Sequence, residues 1–563
     1  MIAPSTIEPH DISLTHGNAA VQPVTFGGCF GWLHSASGSG VRDIGVVLCQ
    51  GVGRDASNAH RSFRILADRL AAAGYATLRF DYPGTGDSDE PVVELWDAWQ
   101  NSLTDAVACL RARTGVSRLV FIGLRAGAIV ATTVAAIRSD AVGLVLLEPT
   151  LRGKSYMTQL AVEARLRARD ARRDAPGIEI DGLHLGPSTI ERLSAIDLRQ
   201  TVFGPGFAVA AFTQAPSSLL SACAAAWQAQ GAAVAIHGFD GLGGLLRPSH
   251  LADEPLVDVT PIVAWLEGAI PTTRVPLPII APSPATLRPT GCVETAIRFG
   301  TENTLFGILC RSGSHAPVES AVVICNTGGD PHHGFARFSV RLARRLASEG
   351  VASLRLDFAG MGDSPSRTAE GDEDVTHVFS VDRRADIAAA VTALQAAGYR
   401  RFAVNGLCSG AYHAFQAAVS DERIDAQLLV NLPWFSLRYD RPGPASVARN
   451  AMRTLSQRQV SSLMLFAERD AGLTALNTHF GEGGADLPAF PGATAATLAD
   501  VDHDLTTHAM QDVVTLRMIA FLRDLGWIPA IATSRPAMAA CYPVALTAAG
   551  KEQSVESDQV LAW

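Results

Sequence analysis

Apolar and polar positions along the chain fall into two alternating rhythms. Short runs at residues 45–49, 119–122, 321–325 and 402–404 are almost wholly apolar, as strands buried on both faces would be. Between them lie amphipathic stretches, such as those around Leu66-Ala67-Asp68-Arg69-Leu70 and Leu342-Ala343-Arg344-Arg345-Leu346. Strands alternating with such helices predict a parallel sheet covered on both faces. Ligands then bind outside the carboxyl ends of the strands, so the loops after the apolar runs are where chemistry belongs.

The whole pattern occurs twice. Phe30-Gly31-Trp32-Leu33 returns as Phe306-Gly307-Ile308-Leu309, an offset of 276 residues. The loops Gln50-Gly51-Val52-Gly53 and Asn326-Thr327-Gly328-Gly329 correspond. So do Arg79-Phe80-Asp81-Tyr82-Pro83-Gly84-Thr85-Gly86-Asp87-Ser88 and Arg355-Leu356-Asp357-Phe358-Ala359-Gly360-Met361-Gly362-Asp363-Ser364, at the same offset of 276. Later the offset is 283, which implies a longer loop near residues 370–377 in the second copy. A period this long marks a duplicated domain, not a solenoid.

Next come Gly123-Leu124-Arg125-Ala126-Gly127 and Gly406-Leu407-Cys408-Ser409-Gly410. Each follows an apolar strand and opens a small-residue helix. This is the setting of a nucleophile elbow, a tight turn that lifts one side chain above the sheet. The expected fold class is therefore α/β, two tandem α/β-hydrolase domains, each a mostly parallel sheet flanked by helices. The expected boundaries are an N-terminal extension at 1–19, a first domain at 20–270 and a linker at 271–290. A second domain at 291–528 and a C-terminal tail at 529–563 follow. An insert at about 151–226 reads as a cap or docking element; it includes a basic helix at 161–173 and a segment at 177–198. The second copy has a shorter insert at 435–458.

Bulk properties narrow the setting. At 563 residues the chain exceeds one ordinary core, and 48% hydrophobic with 18% charged residues indicates a globular protein. A formal net charge of -9 argues against nucleic acid or an anionic membrane as partner. No apolar stretch approaches the ~20 residues of a membrane helix, so no integral membrane segment is expected. Residues 1–17 lack a basic segment followed by an apolar core, so no secretory signal is evident. Nine cysteines without a CxxC pair fit scattered thiols in a reducing, cytoplasmic compartment.

An elbow works only with a base and an acid behind it, in the chain order nucleophile, acid, histidine. After Cys408, an apolar strand at 463–467 ends in Glu468-Arg469-Asp470, and Asp470 is well placed to orient an imidazole. A short strand expected at 496–501 precedes Asp502-His503-Asp504, which puts His503 on the loop before a final helix at 511–525. Cys408 faces a helix N-terminus, which favours its thiolate. The expected oxyanion donors are the Ser409 amide and that of Thr327 or Gly328. Gly406 and Gly410 let the turn close. A lone cysteine in a small-residue turn can also be a buried small hydrophobe. His503 could equally be a surface loop residue, and Glu468 competes with Asp470. Ser409 lies one place past the apex. His332, His333 and His413 fall near the expected mouth but lack an evident carboxylate cluster, so neither a metal nor another cofactor is expected.

In the first copy Arg125 holds the apex. Its guanidinium stays charged and cannot attack. It could pair with Glu148 or Asp240, or bind an anionic substrate group. Asp240 follows a strand at 232–238 and stands for the acid; His250 comes too soon after it to be the matching histidine. This half reads as hydrolytically degenerate.

These motifs resemble the exosortase A system-associated hydrolases, serine-aminopeptidase-like α/β-hydrolases of bacteria. The first half is similar to their type 2, through residues 80–88, Gly123-Leu124-Arg125-Ala126-Gly127-Ala128, Glu148-Pro149 and Gly153-Lys154-Ser155-Tyr156. The second is similar to type 1, through Gly360-Met361-Gly362-Asp363-Ser364, Gly406-Leu407-Cys408-Ser409-Gly410-Ala411 and Asn431-Leu432-Pro433-Trp434. The likeness spans most of residues 20–525. It implies a cytoplasmic hydrolase or acyl-transfer enzyme tied to exopolysaccharide production. Thiol nucleophiles similar to that of dienelactone hydrolase occur in the wider fold family. The chain departs from the pattern in fusing both types.

The leading expectation is an ester, thioester or lactone hydrolase acting on a small acylated substrate. An acyltransferase with the same residues is the enzymatic alternative, and a binding or scaffold protein the non-enzymatic one. The two copies could also pack as an internal pseudo-dimer.

Overall fold

The computed structural model describes residues 14–16, 19–36, 41–167, 176–247, 258–275, 284–313, 319–366, 378–379, 381–438, 441–442 and 444–528. The expected tail, the long loop near 370–377, His250 and the end of the basic helix beyond Arg167 lie outside them.

Among the described residues each copy builds a nine-stranded sheet. Across the first sheet the strands run Leu14–His16, Ala19–Phe26, Cys29–His34, Ala76–Phe80, Ile44–Cys49, Arg118–Leu124, Ala141–Leu147, Ala208–Thr213 and Ala233–Gly238. Across the second they run Thr286–Leu287, Cys292–Phe299, Leu305–Ser312, Ala352–Asp357, Ser320–Ile324, Arg401–Leu407, Ile424–Val430, Ser461–Ala467 and Ala493–Leu498. Counted in chain order, both sheets read 1-2-3-5-4-6-7-8-9. The first strands pair antiparallel, and from Ala76–Phe80 or Ala352–Asp357 onward the pairing is parallel. The central strands Ile44–Cys49 and Ser320–Ile324 are buried at every position, which is why their sequences lack polar alternation. Helices such as Arg54–Ala72 and Phe338–Ser348 cover the sheets with their apolar stripes, Phe63, Leu66 and Leu70 in one, Leu342 and Leu346 in the other.

Several expected boundaries move. Ala208–Thr213 is the eighth strand of the first sheet, so the insert cannot run to 226. Its small residues conceal a strand that is buried at every position. What remains of the insert holds the helices Gly153–Arg167 and Pro187–Ser194 and a hairpin, Ile178–Ile180 with Leu183–Leu185. Both ends of the expected linker are paired. Arg274–Val275 joins Val41–Arg42, and Thr286–Leu287 opens the second sheet. The strand expected at 496–501 is Ala493–Leu498.

Contacts between the halves follow the repeat. Arg79 of the first half pairs with Asp363 of the second, and Arg355 donates to Asp87 at 2.7 Å. Each arginine thus meets the other copy's version of one loop. Arg64 Nη1 donates to the Gly362 carbonyl at 2.6 Å, and Arg337 Nε donates to the Gly86 carbonyl at 2.9 Å. Phe30 and its counterpart Phe306 lie 6.5 Å apart, with Trp32 against Phe306 at 4.7 Å. At the centre His332 bridges the halves, hydrogen-bonded to Asp357 at 2.7 Å and to Asp87 at 2.6 Å.

Candidate active site

The elbow geometry is the same in both copies. Cys408 sits at φ 52°, ψ -118°, and Arg125 at φ 52°, ψ -114°, a region that costs a non-glycine residue of order 1–3 kcal/mol. Each amide is anchored on the neighbouring strand, Cys408 N to Val430 O and Arg125 N to Leu147 O, both at 3.0 Å. The flanking glycines are needed for close approach. A Cβ on Gly406 would lie 2.1 Å from the Gly410 carbonyl carbon, and one on Gly410 would lie 2.4 Å from the Asn326 oxygen.

His503 and Asp470 meet beside Cys408. Asp470 caps the helix Ala471–Phe480, accepting from the Gly472 amide through Oδ1 at 2.7 Å. Its other oxygen is hydrogen-bonded to His503 Nδ1. One carboxylate oxygen is therefore fixed by a helix and the second orients the imidazole. Asp470 and then Cys408 raise the His503 pKa to about 11 against the opposing effect of burial, so the imidazole carries a proton at neutral pH. With Nδ1 taken by Asp470, Nε2 is the ring nitrogen left for other partners. Cys408 is half-buried. Burial pushes the Cys49 thiol up to about 12.

Asn431 is a member of this site that the sequence reading did not assign. It stands at φ 49° after the strand Ile424–Val430. Its Nδ2 donates to the His503 carbonyl at 2.9 Å, and its Oδ1 accepts from Ala467 N at 2.8 Å. It ties the histidine loop to the strand that leads to Asp470. The available signal was an asparagine directly after a strand, a residue type enriched in left-handed backbone.

The loop expected to supply an oxyanion donor lies against the elbow. Gly328 N donates to Ser409 Oγ at 2.7 Å, and Thr327 Oγ1 donates to the Leu407 carbonyl at 3.0 Å. The three other histidines lie elsewhere. His413 donates to the Val378 carbonyl at 2.6 Å, and burial lowers its pKa to about 4. His332 and His333 are buried where the halves meet. The expectation that they lack a carboxylate cluster is wrong for His332. Its ring and the carboxylates of Asp357 and Asp363 lie within 4.8 Å of one another. Both of its ring nitrogens are already hydrogen-bonded, and Asp363 is paired with Arg79.

The first half differs at all three positions. Strand register matches Phe212 with Leu465, so Ser217, which caps the following helix, stands where the second half has the helix-capping Asp470. Ala233–Gly238 matches Ala493–Leu498 with His237 at the register of Ala496, which puts Gly244 where the second half has His503. Asp240 is therefore on the histidine loop and does not take the acid's place. Nor does Arg125 pair with Glu148 or Asp240. Its Nε donates to Asp55 at 3.3 Å, while Glu148 accepts from Thr213 Oγ1 at 2.6 Å.

A mostly parallel sheet with a strained strand-to-helix apex after its sixth strand defines the α/β-hydrolase fold, present here twice. Residues 43–191 match the family model of serine aminopeptidase, S33. Among solved structures the chain is similar to an α/β serine hydrolase without lid from Xanthomonas campestris, at 17% identity over 43% of this chain and 98% of that one, with a TM-score of 0.30. It is also similar to an esterase of Pyrococcus furiosus (17% identity, 41% and 90% covered, TM-score 0.30). A dienelactone hydrolase of Anabaena variabilis is a third (15% identity, 42% and 98% covered, TM-score 0.30). No curated protein matches the chain. No helix among the described residues is long and apolar enough to cross a membrane.

Proposed function

We propose that the second half is an acyl hydrolase with Cys408 as nucleophile, His503 as acid and base, and Asp470 as the group that orients it. The observation that carries this reading is one imidazole hydrogen-bonded to a helix-capping carboxylate and near enough to the thiol at a strained apex for that thiol to raise its pKa. The attacking species of a cysteine is the thiolate, and a protonated His503 beside it is its counter-ion. Sulfur attacks the acyl carbon, and the carbonyl π pair moves onto oxygen. The amides of Ser409 and Thr327 stabilise that oxyanion, the Gly328 N–H being already given to Ser409 Oγ. Collapse expels the alkoxide or thiolate, which takes the Nε2 proton and leaves a thioester on Cys408. Water then gives a proton to Nε2 and attacks the thioester, and collapse releases the acid.

The resemblance to exosortase-associated hydrolases favours an acylated sugar or lipid from exopolysaccharide synthesis, met in the cytoplasm. The first half, without nucleophile, acid or base, serves as structure. Reciprocal Arg79–Asp363 and Arg355–Asp87 pairing favours reading the two halves as a pseudo-dimer, since the same two positions meet in exchanged roles. Incubation with p-nitrophenyl acetate followed by intact mass tests the nucleophile. One acetyl group is expected on the wild type and none on Cys408→Ala; equal labelling of both refutes the assignment.

A further inference from the structure

The loop that carries His503 runs from the strand Ala493–Leu498 to the helix His508–Asp524. Its own half holds it through Asn431 at the His503 carbonyl. Its far end is held by the other half. The hairpin Ile178–Ile180 with Leu183–Leu185 belongs to the first half's insert, and Glu179 Oε1 accepts from the His508 amide at 2.5 Å. That amide opens the helix, where N–H groups lack intrahelical partners and a negative charge is stabilising. His508 Nε2 in turn donates to the Gly182 carbonyl at 3.1 Å. Arg54 Nη2 donates to Asp504, the neighbour of His503, at 3.2 Å, while Asp181 accepts from the Arg54 amide at 3.1 Å.

The hairpin is shaped for this contact. Asp181 and Gly182 both have positive φ, 49° and 76°, as a two-residue type I′ turn requires. A Cβ on Gly182 would lie 2.1 Å from the Ala336 carbonyl oxygen, so the tip sits as close to the second half as glycine permits. Gln511, on the helix after the loop, donates to that same Ala336 oxygen at 3.0 Å and to Leu505 O at 3.1 Å. Hairpin, loop and helix therefore share one anchoring point.

We propose that Glu179, with Gly182 and Arg54, is a positioning element for His503: the half without a nucleophile sets the loop that carries the other half's base. The inference rests on the acyl-hydrolase reading. Loss of the Glu179 carboxylate frees the first turn of the helix, and the imidazole loses its fixed distance to Cys408. A misplacement of about 1 Å can cost about 100-fold in rate.

The test uses the full chain and two readouts. One is turnover of p-nitrophenyl acetate. The other is alkylation of Cys408 by iodoacetamide across pH, located by peptide mass, which needs no acyl substrate. Glu179→Ala is expected to lower kcat about 10- to 100-fold with KM nearly unchanged. It should also shift the pH profile of Cys408 alkylation. Glu179→Gln restores both, because its amide oxygen still accepts from His508 N. Gly182→Ala is the second disruption and should behave as Glu179→Ala. Wild-type kcat and alkylation profile in both disrupted variants would overturn the proposal. So would a loss of rate that follows a lowered melting temperature and is not rescued by Glu179→Gln. If the wild type fails to turn over the ester but the alkylation profile still moves with Glu179→Ala, positioning is supported and the ester reading fails.

Discussion

His332→Ala is the most informative perturbation of the joint between the halves. The His332 ring is almost wholly buried, and so are the carboxylates on either side of it. Burial works against its charge, but Asp357 and Asp87 outweigh it and raise the pKa well above the usual histidine value. Truncation removes two hydrogen bonds to charged groups and leaves both carboxylates buried. Breaking a buried pair costs about 3–5 kcal/mol, a large part of a typical total of about 5–15 kcal/mol. The pH dependence has a definite sign. A group whose pKa rises on folding gives its full stabilisation below its unfolded pKa, about 6.5. That stabilisation is lost as pH climbs toward the folded value, by up to about 1.4 kcal/mol per pH unit. Urea unfolding at pH 6, 7.5 and 9, followed by tryptophan fluorescence and circular dichroism, measures this. The wild type should exceed His332→Ala by about 3–5 kcal/mol at pH 6, and the gap should narrow toward pH 9. A gap below about 1 kcal/mol at pH 6, or one that stays constant with pH, refutes a buried imidazolium shared between two carboxylates.

Three further outcomes follow from the site. Asp470→Asn should lower kcat on p-nitrophenyl acetate about 10³- to 10⁴-fold. It should also move the alkaline limb of the pH profile downward, because Asp470 is the largest cause of the His503 pKa of about 11. Arg125→Cys in a Cys408→Ala background should give no turnover, since Ser217 and Gly244 stand where the acid and base are needed; ester hydrolysis by that variant would show the first half to be competent. Gly410→Ala should destabilise by about 1–3 kcal/mol, because its Cβ meets the Asn326 carbonyl oxygen at 2.4 Å. A melting temperature equal to wild type would contradict that.

Much of this was legible in the chain itself. The central strands announce themselves because parallel strands buried on both faces must be continuously apolar. The elbow is legible because only small residues fit where Gly406 and Gly410 approach backbone. The candidate triad follows from the order of strand ends. What stayed hidden depends on register. The strand Ala208–Thr213 is so rich in alanine that it looks like helix, and missing it shifted the acid position by one strand, from Ser217 to Asp240. The partner of Arg125 is Asp55, on a helix 70 residues earlier, and no local pattern marks it. The buried charges at the joint were read as part of a repeated loop. Their pairing with the opposite copy emerges only when both copies are folded together.

Arg125 keeps a backbone conformation whose usual chemical reward it cannot collect. At φ 52° it repeats the twist of Cys408 to within a few degrees, held by the same amide contact to the next strand. The twist therefore belongs to the crossover between strand and helix, and the apex side chain is a passenger on it. A turn of this kind works as a socket. The surrounding backbone sets where the side chain points, and the sequence at one position decides whether the socket holds a reagent or a strut. One chain thus carries the same turn twice, once with a cysteine at its apex and once with an arginine.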